Sequence, residues 1–187
     1  MALSKTSRLV SGQLTQLSPW VTLSTKQVLK AGEKDISVYH SFQQSDYVTT
    51  LAIRTDGLIP IVQQYRPAVE QITYELPGGL LDRDVTPESI AVNELLEETG
   101  HAVKDQPKLL GCLYPDTGRL ENRLWAYFVE VSQQQSPHWN PEIGVAALWV
   151  SPSELHEMIM DGRFKHALHL AVIALALTQG FFTWDRR

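Results

Sequence analysis

The sequence predicts an α/β-layered (α+β) domain in which helices pack on a mixed β-sheet. Three observations carry this: β-patterned segments ahead of one well-signalled helix, a second group of strands after it, and two helices at the C-terminal end. The chain has 187 residues, 43% hydrophobic and 20% charged, which suits one soluble globular domain with a sizeable core and a small appendage.

Taken in order, Trp20-Val21-Thr22-Leu23 and Ile36-Ser37-Val38-Tyr39-His40 alternate like strands around the turn-like Ala31-Gly32-Glu33-Lys34. Residues 1–45 therefore read either as a β-rich N-terminal appendage or as an edge hairpin of a main domain spanning 46–187. Residues 47–54 and 58–64 flank Asp56-Gly57, a strong hairpin signal. Ile72-Thr73-Tyr74-Glu75-Leu76 is a short strand running into Pro77-Gly78-Gly79. After Gly100, residues 108–114 and 122–131 are strand-like, residues 133–141 form a polar loop, and residues 145–150 form a last strand. Ser151-Pro152-Ser153-Glu154 has the form of a capping box that starts a helix, and a final helix spans 165–178.

The net charge of −5 without a basic block argues against a general nucleic-acid or anionic-membrane surface. One cysteine, Cys112, allows no intrachain disulfide, which fits a cytoplasmic setting. The first residues do not resemble a secretion signal, and the apolar run 170–177 is too short to span a bilayer, so it reads as a buried helix.

The helix between the strand groups holds the chemistry. Thr86 is its expected N-cap, Pro87 its first residue and Gly100 its stop. Helical projection puts Ala91, Val92, Leu95, Leu96 and Thr99 on a core-facing arc, with Glu94, Glu97 and Glu98 together on the opposite side. Like charges at i, i+3 and i+4 cost roughly 0.2–0.5 kcal/mol per pair, and acids in a last turn oppose the helix dipole. The cluster reads as a solvated acidic face or as a site for a hard cation such as Mg²⁺ or Mn²⁺. The Gly-Gly turn upstream favours the cation, because glycine lets backbone come close to a ligand. His166 and His169 also lie at i, i+3; on so apolar a helix, packing competes with metal binding.

Gly79, Glu94, Leu95, Glu97, Glu98 and Gly100 stand in the register of a Nudix box: Gly, five residues, Glu, seven residues, then Arg-Glu-aliphatic-any-Glu-Glu-any-Gly. Val85 stands where the box has its first Glu and Asn93 where it has Arg. Val62-Gln63-Gln64-Tyr65-Arg66-Pro67-Ala68, Glu75-Leu76-Pro77-Gly78-Gly79 and Pro115 resemble the ADP-ribose and ADP-sugar pyrophosphatase branch of the Nudix hydrolases. The resemblance implies a Nudix fold with a mixed β-sheet between helices. It also implies metal-dependent hydrolysis of a nucleoside diphosphate sugar, ADP-ribose giving AMP and ribose 5-phosphate. A GDP-sugar hydrolase and a catalytically weak nucleotide-sugar binding module are the alternatives.

By the same resemblance, Glu94, Glu98 and the Gly78 carbonyl would hold Mg²⁺ or Mn²⁺, with Glu97 as an additional ligand or a supporting group, and Glu98 and Glu97 would count among the catalytic residues. Glu142 would be the general base, with Glu121 as the alternative. Arg66 would contact phosphate, unless it sits in a surface ion pair. Trp20 would stack the base unless it is buried under the appendage, and Pro115 would lie at the substrate. The N-terminal piece around Trp20-Val21 would be exchanged in a homodimer.

Overall fold

The computed structural model describes residues 6–82 and 84–184; residues 1–5, where the reading of the chain's start falls, lie outside these. Two compact units result, Met1–Ser45 with Tyr114–Arg123, and Asp46–Leu113 with Leu124–Arg187.

In the first unit β1 (Arg8–Gln16), β2 (Thr22–Leu29) and β3 (Ile36–Gln43) form an antiparallel meander in that order. Strand β1 was not anticipated: all its residues are exposed, so it lacks the one-sided burial that marks a strand in a sequence. Residues 114–123, assigned by sequence to 46–187, group instead with these strands. Phe42 N donates to Arg119 O at 2.8 Å and Glu121 N to Phe42 O at 3.0 Å. The Glu121 carboxylate accepts from Lys26, Ser41 and, at 2.8 Å, Gln43.

The second unit contains two sheets. Strands β4 (Asp46–Arg54), β7 (Gly78–Leu81), β8 (His101–Val103) and β10 (Leu124–Gln135) lie in the order β7-β4-β10-β8, and β9 (Lys108–Leu113) also pairs with β10. The β4–β10 pair is parallel and the other pairs are antiparallel, so the sheet is mixed. Strands β5 (Ile59–Arg66), β6 (Gln71–Glu75) and β11 (Val145–Val150) form the second sheet, β11-β5-β6. The Asp56-Gly57 turn closes as expected, with Gly57 N bonded to Arg54 O at 2.7 Å. Its strands nevertheless part into different sheets, because β4 already has β7 and β10 on its two edges and β5 has β11 and β6. Strand β10 also runs to Gln135, into the expected polar loop.

Three helices complete the unit: α1 (Pro87–Thr99), α2 (Pro152–Met160) and α3 (Ala167–Thr178). Thr86 caps α1 by accepting from Ser89 N, and Gly100 ends it in the left-handed region at φ 76°. Ser151 and Glu154 form the capping box of α2.

Side-chain alternation in β4 and β10 sorts the core into two layers. Val48, Ala52, Tyr127, Val129 and Val131 pack with Ile90, Ala91 and Leu95 of α1. Leu51, Ile53, Leu124, Ala126 and Phe128 pack with Val172, Ile173 and Ala176 of α3. The mixed sheet thus lies between helices, as the sequence predicts. Among the described residues, no helix is long and apolar enough to cross a membrane.

The projected face of α1 needs correction. Its buried residues are Ile90, Ala91, Leu95, Glu98 and Thr99, while Leu96 is exposed. Glu98 therefore points into the protein, in the middle of the buried arc and not among the solvated acids. Apolarity placed the arc one neighbour too far round, since Leu96 is a better core residue than Glu98 on every ground except the one that matters here: a backbone N–H waits for the carboxylate.

Candidate active site

That donor is Gly78 N–H, which meets Glu98 Oε2 at 2.9 Å. Two glycines in β7 make the approach. Gly78 stands opposite Thr49 of β4, and a Cβ there would lie 2.2 Å from the Val48 carbonyl oxygen. A Cβ on Gly79 would lie 2.4–2.8 Å from the carboxyl atoms of Glu94. One glycine thus admits the neighbouring backbone, and the next admits a side chain of the site.

Glu98 is 5% exposed. Burial pushes its carboxyl up to about 8, Glu94 and Glu142 push the same way, and the Gly78 N–H and Arg66 pull against them. The last turn of α1 has no basic residue, and position 93, one turn earlier, is Asn; Arg66, from β5, is a cation that bears on Glu98. A buried Glu98 carboxyl on which Glu94 and Glu142 bear fits a divalent cation held by oxygen ligands.

Arg66 is committed on one edge. Its Nε donates to Glu75 Oε1 at 2.8 Å and its Nη2 to Glu75 Oε2 at 2.6 Å. Burial raises the Glu75 carboxyl, but Arg66 and Thr73 outweigh it and hold the group at about 2. The ion pair is therefore built on a buried partner, while the Arg66 side chain itself stays 43% exposed.

Glu75, His166 and His169 bring ligand atoms within 4.8 Å of one another, yet their bonding opposes a metal there. Leu76 N–H donates to His169 Nδ1 at 3.0 Å, so the ring proton is on Nε2, 3.4 Å from Thr49 Oγ1. A metal on either nitrogen would displace one of these contacts, and both Glu75 oxygens are already engaged. Burial, then His166, lower the His169 pKa to about 3, which keeps the ring neutral.

Glu142 is exposed in the stretch between β10 and β11. That stretch is fastened to the end of α1. Trp139 Nε1 donates to Glu97 O at 2.7 Å, Gln135 Nε2 to Thr99 O at 3.2 Å, and Ser136 N to Gly100 O at 2.8 Å. These donors satisfy carbonyls that a helix end otherwise leaves without partners. Trp139 also lies over Gly100, where a Cβ would come within 2.7 Å of its ring. The Glu97 side chain is exposed, on a different face from Glu98.

Trp20 and Pro115 belong to the first unit. Trp20 is 75% exposed in the connection between β1 and β2, which excludes the buried alternative. Glu121 is not a free base: Lys26, Ser41 and Gln43 outweigh burial and hold it at about 2. Sequence reasoning missed Glu75, Trp139 and the part played by His169. Glu75 carried a signal, an acid beside Leu-Pro-Gly-Gly, whereas the others depend on contacts between distant segments.

Fold and site together define an α/β protein whose Gly-Gly strand meets a helix of glutamates. The NUDIX domain family matches residues 45–170, and the chain belongs to the Nudix family. An ADP-ribose pyrophosphatase of Bacillus subtilis is 39% identical over 83 residues, 44% of each chain. A GDP-mannose pyrophosphatase of Pectobacterium atrosepticum is 29% identical over 153 residues, 75% of this chain and 77% of that one. A solved structure described as an ADP compounds hydrolase shares the fold, with a TM-score of 0.76 and 14% identity, covering 95% of this chain and 98% of that one. The match spans less than half the length of the Bacillus protein.

Two predictions follow from the glycines and the buried acid. Gly79→Ala displaces only the flexible end of Glu94, so it should weaken Mn²⁺ binding by about tenfold or more with little change in Tm. Gly78→Ala meets backbone and should lower Tm by roughly 5–10 °C; equal Tm losses in the two variants would contradict this. A carboxyl raised on folding contributes stability fully present below its unfolded pKa, near 4.5, and lost as pH rises through about 8. In metal-free protein, Glu98→Gln should therefore raise Tm by roughly 3–10 °C above about pH 8. That gain should vanish near pH 4.5 in thermal melts, and a pH-independent difference would refute the assignment.

Proposed function

We propose that this protein hydrolyses the pyrophosphate linkage of a nucleoside diphosphate sugar, with ADP-ribose and water giving AMP and ribose 5-phosphate. The observation that carries the reading is the buried Glu98 carboxyl, bonded to Gly78 N–H and influenced by Glu94 and Glu142, in a Nudix chain. Glu94, Glu98 and the Gly78 carbonyl would hold Mg²⁺, or Mn²⁺ in its place, and Glu97 would support Glu98 from the same turn. When bound, the ion offsets phosphate charge and lowers the pKa of bound water towards 7.

The chain's own residues do the rest. Arg66, kept rigid by Glu75 on one edge, presents its exposed side to a phosphate oxygen. Glu142, exposed and close enough to raise Glu98, takes the proton from the attacking water. Trp20 stacks the nucleobase and Pro115 lines the substrate, both supplied by the first unit of a homodimer. The exposed Leu9, Leu14, Trp20, Ile36 and Val38 of that unit support such a pairing. The single Cys112 suits a cytoplasmic setting.

A second reading has an observation behind it. The GDP-mannose pyrophosphatase aligns over far more of the chain than the ADP-ribose relative, so a GDP-sugar is the rival substrate. Purified protein with Mg²⁺ or Mn²⁺ should release AMP from ADP-ribose faster than GMP from GDP-mannose, and the reverse order would favour the rival. Glu94→Gln and Glu98→Gln should each lower kcat by about a hundredfold or more. Failure to release a nucleoside monophosphate from either substrate would end the proposal. Light scattering should give twice the monomer mass; a monomer at micromolar concentration would remove Trp20 as a contact across subunits.

A further inference from the structure

We propose that His169, on α3, is a positioning residue for the site: it fixes the backbone of residues 76–78 and so sets where Gly78 meets Glu98. The inference rests on the proposed hydrolase reading only for its consequence in catalysis. The positioning itself stands on the geometry of the folded chain.

Three consecutive residues of this loop are tied by three different elements. Leu76 N–H is held by His169 Nδ1 of α3 at 3.0 Å. Pro77 O accepts from Thr50 N of β4 at 2.9 Å, and Gly78 N–H is held by Glu98 of α1 at 2.9 Å. The proline between them has its φ fixed near −65°, which leaves fewer backbone rotations to absorb a shift at Leu76 before Gly78. A buried N–H that loses its acceptor moves to find another, and here the movement carries the glycine with it.

His169 is suited to this task because its orientation is determined from both sides. Nδ1 accepts from a backbone N–H, which leaves the proton on Nε2, directed at Thr49 Oγ1. The same Thr49 oxygen would lie 3.1 Å from a Cβ placed on Gly78. His169 therefore bears on Gly78 by two routes, through the Leu76 backbone and through the Thr49 side chain. Its ring stacks on His166, with centroids 3.8 Å apart, and lies beside Phe164, which restrains rotation further.

The test compares His169→Leu with His169→Asn, whose side-chain oxygen restores an acceptor near the position of Nδ1. NMR of metal-free wild-type protein should show the His169 ring with its proton on Nε2. In His169→Leu the Gly78 amide should exchange about tenfold faster or more, and half-saturation by Mn²⁺ should need about tenfold more ion. In His169→Asn both should stay within about threefold of wild type. Should the Leu variant not fold, Thr49→Val removes the contact to Nε2 and should accelerate Gly78 exchange in the same direction.

A folded Leu variant with wild-type Gly78 exchange would overturn the proposal. So would an Asn variant no better than Leu, a proton on Nδ1, or a Zn²⁺-induced change at the His169 ring nitrogens. A purely structural role would lower Tm and leave Gly78 exchange and Mn²⁺ half-saturation unmoved at temperatures well below it. None of these readouts needs turnover. If Gly78 responds as expected and no nucleotide sugar is hydrolysed, the fault lies with the proposed reaction and not with His169.

Discussion

The hydrogen bond from Gly78 N–H to the Glu98 carboxyl is the constraint on which the site depends. A carboxylate taken out of water is costly unless it is paired or hydrogen-bonded, and this one has Glu94 and Glu142 as neighbours to raise the cost. The fold tolerates it because burial raises the carboxyl to about 8, so that the group is held protonated near neutral pH with Gly78 N–H bonded to it, and because α1 is well secured by Thr86, Gly100 and its apolar contacts. The site is therefore destabilised locally and held by its surroundings. Such an arrangement suits a divalent cation held by oxygen ligands.

Each partner of this bond is located by a different part of the fold. Strand β4 receives Gly78 at Thr49, and only glycine permits that approach. Arg66 and Glu75 lock the end of β6 just before the loop. On the other side, Trp139, Gln135 and Ser136 cap the last carbonyls of α1. These bonds tie the stretch bearing Glu142 to the helix that bears Glu94 and Glu98. Loss of the Trp139 bond would leave the Glu97 carbonyl without this donor and remove one of the three ties to the stretch that bears Glu142.

Much of this was legible in the sequence where the signal is local. The caps of α1, the capping box of α2 and the apolar α3 were all expected and are all present. The glycine-to-glutamate spacing points to the Nudix family, to which the chain belongs. What was not legible depends on partners distant in the chain. Apolarity alone put Leu96 inside and Glu98 outside, since the donor to Glu98 lies 20 residues away. Asp56-Gly57 specifies its turn, but whether the flanking strands pair is decided by strands found later in the sequence. Glu121 looked available until the residues that fill its carboxylate, Lys26, Ser41 and Gln43, were seen around it.

If Glu98 is a metal ligand as proposed, a carboxyl raised to about 8 by burial must give up its proton when the ion binds near pH 7. Calorimetry of Mn²⁺ binding near pH 7, repeated in buffers of different ionisation enthalpy, counts the protons released directly. Wild-type protein should release roughly one proton for each ion bound, and the folded Glu98→Gln variant should release almost none. Binding to wild-type protein with no proton release, or equal release from the variant, would contradict the account.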